Sequence, residues 1–144
     1  MPRGAGLFAL FVLVAGCATS PKGAPPTAAQ LVTEVFVHDL KVSRVFYEKL
    51  GFATTVTEPT FLELQFGGRK LFLSQREGAQ PAKPAANIRI GVPDVDRYYG
   101  LAKKMGARVL TPIGDRVWGE RDFLIVDPDG FGLRFASLRP GGKW

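Results

Sequence analysis

Few residues in this 144-residue chain could do chemistry, and their scarcity narrows what chemistry is open. There is one histidine, His38, and one cysteine, Cys17. Histidine is the commonest metal ligand and proton shuttle, so a centre built on several imidazoles is excluded. One cysteine excludes an intramolecular disulfide. There is no Gly-x-Ser-x-Gly, no phosphate-binding loop and no Cys/His pair. Charges do stand inside strand-like apolar runs: Glu34 in 31–37, Glu63 in 61–66, Arg89 in 87–92 and Arg134 in 132–136. Two free guanidinium groups would suit an anionic or carbonyl-bearing ligand. The competing reading pairs Arg89 and Arg134 with Glu34 and Glu63, within the fold or between copies, because buried charges are normally paired.

The elements that position these charges follow from an internal repeat. Displaced by 55 positions, Val35–Leu40 falls on Ile90–Val95 and Lys49-Leu50-Gly51 on Lys104-Met105-Gly106. Further on the displacement is 62, and Phe61–Leu64 meets Phe123–Val126. Each copy opens with an alternating strand, 31–37 or 87–92. Asp39 or Asp94 follows at a helix N-cap position. Apolar residues then recur at helical spacing, at Val42, Val45, Phe46 and Leu50 in one copy and Val95, Tyr98, Leu101, Ala102 and Met105 in the other. Gly51 and Gly106 stand where a left-handed residue ends a helix. Strand-like runs over 53–57, 61–66 and 70–75, then 108–111, 122–126 and 132–136, complete the copies. The expectation is an α+β fold of two βαβββ modules, about 31–76 and 87–138, with 77–86 between them.

Hydrophobic residues make up 46% of the chain and charged residues 22%, which suits one domain with a real core. The net charge of +6 is scattered and forms no basic stripe with stacking aromatics. A nucleic-acid partner is therefore not expected.

Arg3, the apolar run Leu7–Val14 and the small residues Ala15 and Gly16 lead to Cys17. That run is too short to span a bilayer of about 30 Å and has the layout of a secretory signal. Val14-Ala15-Gly16-Cys17 resembles the bacterial lipobox. The resemblance implies a signal peptide over 1–16, lipidation of Cys17 and a flexible tether over 17–30. With Ala18 rather than Asp after the cysteine, it implies a cell-envelope lipoprotein on the outer membrane, facing the periplasm.

Over 31–138 the chain resembles the vicinal oxygen chelate, or glyoxalase/bleomycin-resistance/dioxygenase, superfamily. The residues that carry the likeness are Asp39-Leu40, Phe46-Tyr47-Glu48-Lys49-Leu50-Gly51-Phe52, Trp118-Gly119-Glu120-Arg121-Asp122-Phe123 and Asp127-Pro128-Asp129-Gly130. The Trp-Gly-x-Arg segment is similar to the bleomycin-resistance branch. The resemblance implies a curled, mixed eight-stranded sheet around a cleft, usually within a homodimer. In metal-using members four strand positions carry His, Gln or Glu; here they are Val32, Phe72, Asn87 and Arg134. Val and Phe offer no donor atom and Arg134 repels a divalent ion, so no metal or other cofactor is expected. His38, beside the cap residue Asp39, is expected to be a solvated loop side chain.

On this frame Glu34, Phe36, Glu63, Phe72, Asn87, Arg89, Trp118 and Arg134 face the cleft and bind the ligand. The expected function is a lipid-anchored, dimeric binding module for a small, preferably anionic, molecule. The superfamily's bleomycin-binding members bind a cationic drug and tend to be acidic, whereas this chain is basic. Two other readings stay open: a metal-dependent lyase or dioxygenase whose ligands lie elsewhere, and a structural envelope lipoprotein whose cleft is filled by its own side chains.

Overall fold

Two aspartates start the two helices by the same device. In the structure, a computed structural model that describes residues 31–78 and 86–141, Asp39 accepts hydrogen bonds from Lys41 N (2.7 Å) and Val42 N (3.2 Å). Asp94 accepts from Arg97 N at 3.0 Å. These bonds satisfy N–H groups that have no partner inside a helix. The helices are α1 (Leu40–Lys49) and α2 (Val95–Lys104). Each ends on a glycine at positive φ, Gly51 at 95° and Gly106 at 72°.

The strands are β1 (Thr33–Val37), β2 (Ala53–Glu58), β3 (Phe61–Phe66) and β4 (Arg69–Gln75), then β5 (Asn87–Gly91), β6 (Arg108–Asp115), β7 (Glu120–Val126) and β8 (Gly132–Leu138). They form two four-stranded sheets of identical order, β1-β4-β3-β2 and β5-β8-β7-β6. In each, the first strand runs parallel to the last and the rest are antiparallel. The registers coincide under the repeat: Glu34 faces Phe72, and Arg89 faces Arg134. Phe72 and Arg134 therefore hold equivalent places.

Two local expectations are corrected. Strand β6 continues past Thr111 to Asp115. Pro112 suggests an end because it cannot donate to a ladder, but β6 is an edge strand with register shifts at Val109/Thr111 and Thr111/Gly114, which accommodate it. On α1, Val42 and Val45 face solvent, at 52% and 51% exposure. The buried stripe is Leu40, Ser43, Tyr47 and Leu50, also at helical spacing but rotated toward the sheet.

One continuous core joins both modules. Phe135 stacks on Phe123 (5.4 Å) and on Tyr98 (5.2 Å), and Phe66 of β3 reaches the Tyr98 ring at 6.1 Å. A polar seam also crosses between modules. The buried Tyr47 hydroxyl donates to Asp127 (2.9 Å), and Ser43 Oγ and His38 N donate to Asp129. The Asp-Pro-Asp-Gly turn therefore fastens the second module to the first helix. Gly132 is required for close approach: a Cβ there would lie 2.7 Å from that of Asn87 on the neighbouring strand. The signal peptide, the Cys17 attachment and the tether lie outside the described residues. No helix among the described residues is long and apolar enough to cross a membrane.

Candidate ligand-binding site

Alternation along each strand turns one set of residues to the core and the other to the opposite, open face. Val35 and Val37 are buried on the helix side, leaving Glu34 and Phe36 on the other. In the second module Ile90 is buried and Arg89 lies on the open face beside Arg134.

Two guanidinium groups opposite one another on adjacent strands repel, and β7 supplies the counter-charges. Arg89 pairs with Glu120. Arg134 Nη1 donates to Asp122 Oδ1 at 3.0 Å, and the same oxygen accepts from Arg116 Nε at 2.7 Å. Arg116 also donates to the Pro112 and Asp122 carbonyls, which ties the β6–β7 hairpin down. Trp118 Nε1 donates to Glu120 Oε2 at 2.9 Å. Asp122 is fully buried, and its Oδ2 has no partner among the described residues. The patch sets three guanidinium groups against two carboxylates.

The competing reading, in which Arg89 and Arg134 pair with carboxylates, is corrected as to partner: these are Glu120 and Asp122, not Glu34 and Glu63. The first-module glutamates are occupied on their own sheet. Glu34 accepts from Ser74 Oγ. Glu63 accepts from Lys70 Nζ (2.9 Å) and Thr55 Oγ1 (2.8 Å), and these bonds, Lys70's first, hold its carboxyl below the usual range. The candidates therefore fall into two groups that no hydrogen bond or ion pair among the described residues joins. Glu34, Phe72 and Glu63 are strand neighbours, and Phe36 lies under the Arg76 guanidinium at 5.1 Å. Arg89, Arg134 and Trp118 gather in the second module, with Asn87 one alternation away on β5. His38 is exposed, as expected, and its backbone N–H donates to Asp129 Oδ1.

Sequence reasoning misses Glu120, Asp122 and Arg116. A signal for two of them exists: Glu120 and Asp122 recur at period two at the head of an apolar strand, on the face opposite Phe123 and Ile125. Arg116 lies in the hairpin, where alternation carries no information.

Among the described residues no three or more His, Cys, Asp or Glu side chains cluster to hold a metal. The places where metal-using relatives are expected to carry ligands hold Val32, Phe72, Asn87 and Arg134. The patch can bind an acceptor-rich ligand: the Arg134 side chain makes no other hydrogen bond to the described residues, and Trp118, held to Glu120, is 58% exposed.

The sequence profile of the Glyoxalase/Bleomycin resistance protein/Dioxygenase superfamily matches residues 29–135. A bleomycin resistance protein of Geobacillus stearothermophilus is 30% identical over 118 residues, covering 69% of this chain and 89% of its own length. One from Klebsiella pneumoniae is 26% identical over 106 residues, covering 69% and 84%. Among solved structures, the bleomycin resistance determinant of transposon Tn5 superposes with a TM-score of 0.67 at 24% identity, covering 77% of this chain and 98% of its own. A glyoxalase/bleomycin resistance protein/dioxygenase from Nocardioides gives 0.68 at 21%, covering 82% and 89%.

Proposed function

The chain belongs to the Glyoxalase/Bleomycin resistance protein/Dioxygenase superfamily, and on that premise we propose that it is a small-molecule-binding protein that works without a catalytic metal. The observation that carries the reading is the charge of the open face. Arg134 stands where metal-using relatives are expected to place a carboxylate, opposite Arg89 and beside Arg116. A divalent cation is repelled there, while an anionic group is attracted.

The ligand is a small molecule with an anionic group for the Arg134–Arg89 edge and a flat apolar part for Trp118. Arg134 keeps donors to spare after its bond to Asp122, so it can grip the ligand while staying oriented by the protein. The β6–β7 turn, with Val117 fully exposed and Trp118 largely so, holds the indole beside the Arg89–Glu120 pair. The protein works as a homodimer, as the superfamily resemblance implies. The domain is held to the bacterial outer membrane, facing the periplasm, through lipidated Cys17. Such a protein sequesters or carries its ligand, and no cofactor and no nucleic acid take part.

One observation favours a second reading. The arginines already have internal counter-charges, as a purely structural envelope protein with a self-filled cleft would show. Native mass spectrometry of the lipoprotein isolated from membranes separates the two. A dimer retaining a small anionic molecule, displaced by competing anions, supports the binding reading. A protein that retains nothing and binds no anion from a broad carboxylate and phosphate panel contradicts it.

A further inference from the structure

We propose a second ligand site, centred on Arg69 and meeting the open face only at Arg89, for a small amphipathic anion with a flat apolar body. It is a cleft of about 390 Å³ between the modules, at the lower end of the roughly 300–1,000 Å³ typical of small-molecule sites. Its floor is aromatic and aliphatic. Phe52 and Phe66 lie 4.7 Å apart with planes tilted by 34°, next to buried Leu71. The facing wall is β5, which the cleft meets edge-on, so residues of both strand faces line it: Ile88 and Ile90 together with Arg89. Because β5 hydrogen-bonds only to β8, the backbone groups on its other edge have no strand partner and can serve polar atoms of a ligand.

The charge at the cleft has one sign. Among the described residues, Arg69, Lys70 and Arg89 line it and no acidic side chain does. Lys70 is held by Glu63 and Arg89 by Glu120, neither of which lines the cleft. Arg69 has no ion-pair partner among the described residues and sits on the first residue of β4, at the aromatic floor. An apolar slot with one uncommitted guanidinium selects a molecule whose rings cover Phe52 and Phe66 and whose carboxylate or sulfonate meets Arg69. A cation is repelled by all three side chains, and a neutral molecule of the same shape gains nothing from them.

Anilinonaphthalene sulfonate is a probe of this chemistry, and neutral phenylnaphthylamine is its uncharged counterpart. Fluorescence titration of the full chain should show a saturable sulfonate site that Trp118→Ala leaves in place. Arg69→Ala should weaken the sulfonate about tenfold, the lower end for a hydrogen bond to a charged group, and leave phenylnaphthylamine within twofold. Thr33→Trp, at an exposed residue lining the cleft, should abolish binding of both by filling the space. If that variant does not fold, the Arg69 charge contrast decides alone. Unsaturable binding, equal loss of both probes on Arg69→Ala, or loss on Trp118→Ala with none on Arg69→Ala overturns the proposal. The last outcome would place the probe on the open face and leave the proposed function standing.

Discussion

Replacing Arg134 by alanine tests the wiring of the open face. Asp122 is fully buried and receives two guanidinium hydrogen bonds on one oxygen, 2.7 Å from Arg116 and 3.0 Å from Arg134. Removing one partner of a buried ion pair typically costs about 3–5 kcal/mol, because a charge is left without compensation. Arg116 remains here, so the loss should approach that of one charged hydrogen bond, about 1.5–3 kcal/mol. The Arg134 side chain is 19% exposed, too little for solvent to cancel the effect. At about 4 °C per kcal/mol for a domain of this size, the melting temperature should fall by roughly 6–12 °C. A double-mutant cycle with Asp122→Asn should show a coupling of at least about 1 kcal/mol. A melting point within about 2 °C of the parent, with no coupling, would refute the reasoning and leave Arg134 as a free ligand-facing cation.

Asp127 is buried against Tyr47, and burial raises its carboxyl pKa above the ordinary value despite hydrogen bonds from Phe131 N, Tyr47 Oη and Asp129 N. A raised folded-state pKa means its contribution to stability is present in acid and lost as pH rises through that pKa. The stability of the parent relative to Asp127→Asn should therefore decline from acid toward neutral pH, as chemical denaturation at several pH values would show; a flat difference would count against it. Gly132→Ala forces a Cβ to within 2.7 Å of Asn87 Cβ and should cost about 1–3 kcal/mol in a denaturant melt, whereas a neutral result would mean that β5 and β8 separate freely. Cys17→Ser should release the protein from the membrane fraction with loss of acyl label, and unchanged attachment would remove the lipid anchor.

The architecture is legible in the sequence because the repeat states it twice. Asp39 and Asp94, then Gly51 and Gly106, bracket both helices at a displacement of 55, and the later displacement of 62 matches Phe72 with Arg134, in agreement with the register observed. The stripe on α1 is harder to read, since Val42 and Val45 have the same helical spacing as the residues truly buried, and only the sheet decides which stripe faces inward. The partners of Arg89 and Arg134 are not legible for a related reason. Alternation assigns a face but not which strand lies alongside, and Glu34 and Glu63 are as suitable in type as Glu120 and Asp122. Strand β8 sits between β5 and β7, so the counter-charges come from β7 of the same sheet. Arg116 reaches Asp122 from an irregular hairpin that no periodicity describes.

Elemental analysis of the purified protein, after growth with ample zinc, iron, manganese and nickel, bears most directly on the claim that the open face works without a metal. The account predicts well under 0.1 metal per chain after extensive buffer exchange, since Arg89, Arg116 and Arg134 surround a site whose carboxylates are already paired and the described residues offer no cluster of three or more His, Cys, Asp or Glu donors. About one tightly held ion per chain, lost on substitution of Glu120 or Asp122, would contradict it and make the protein a metal-using member of its superfamily.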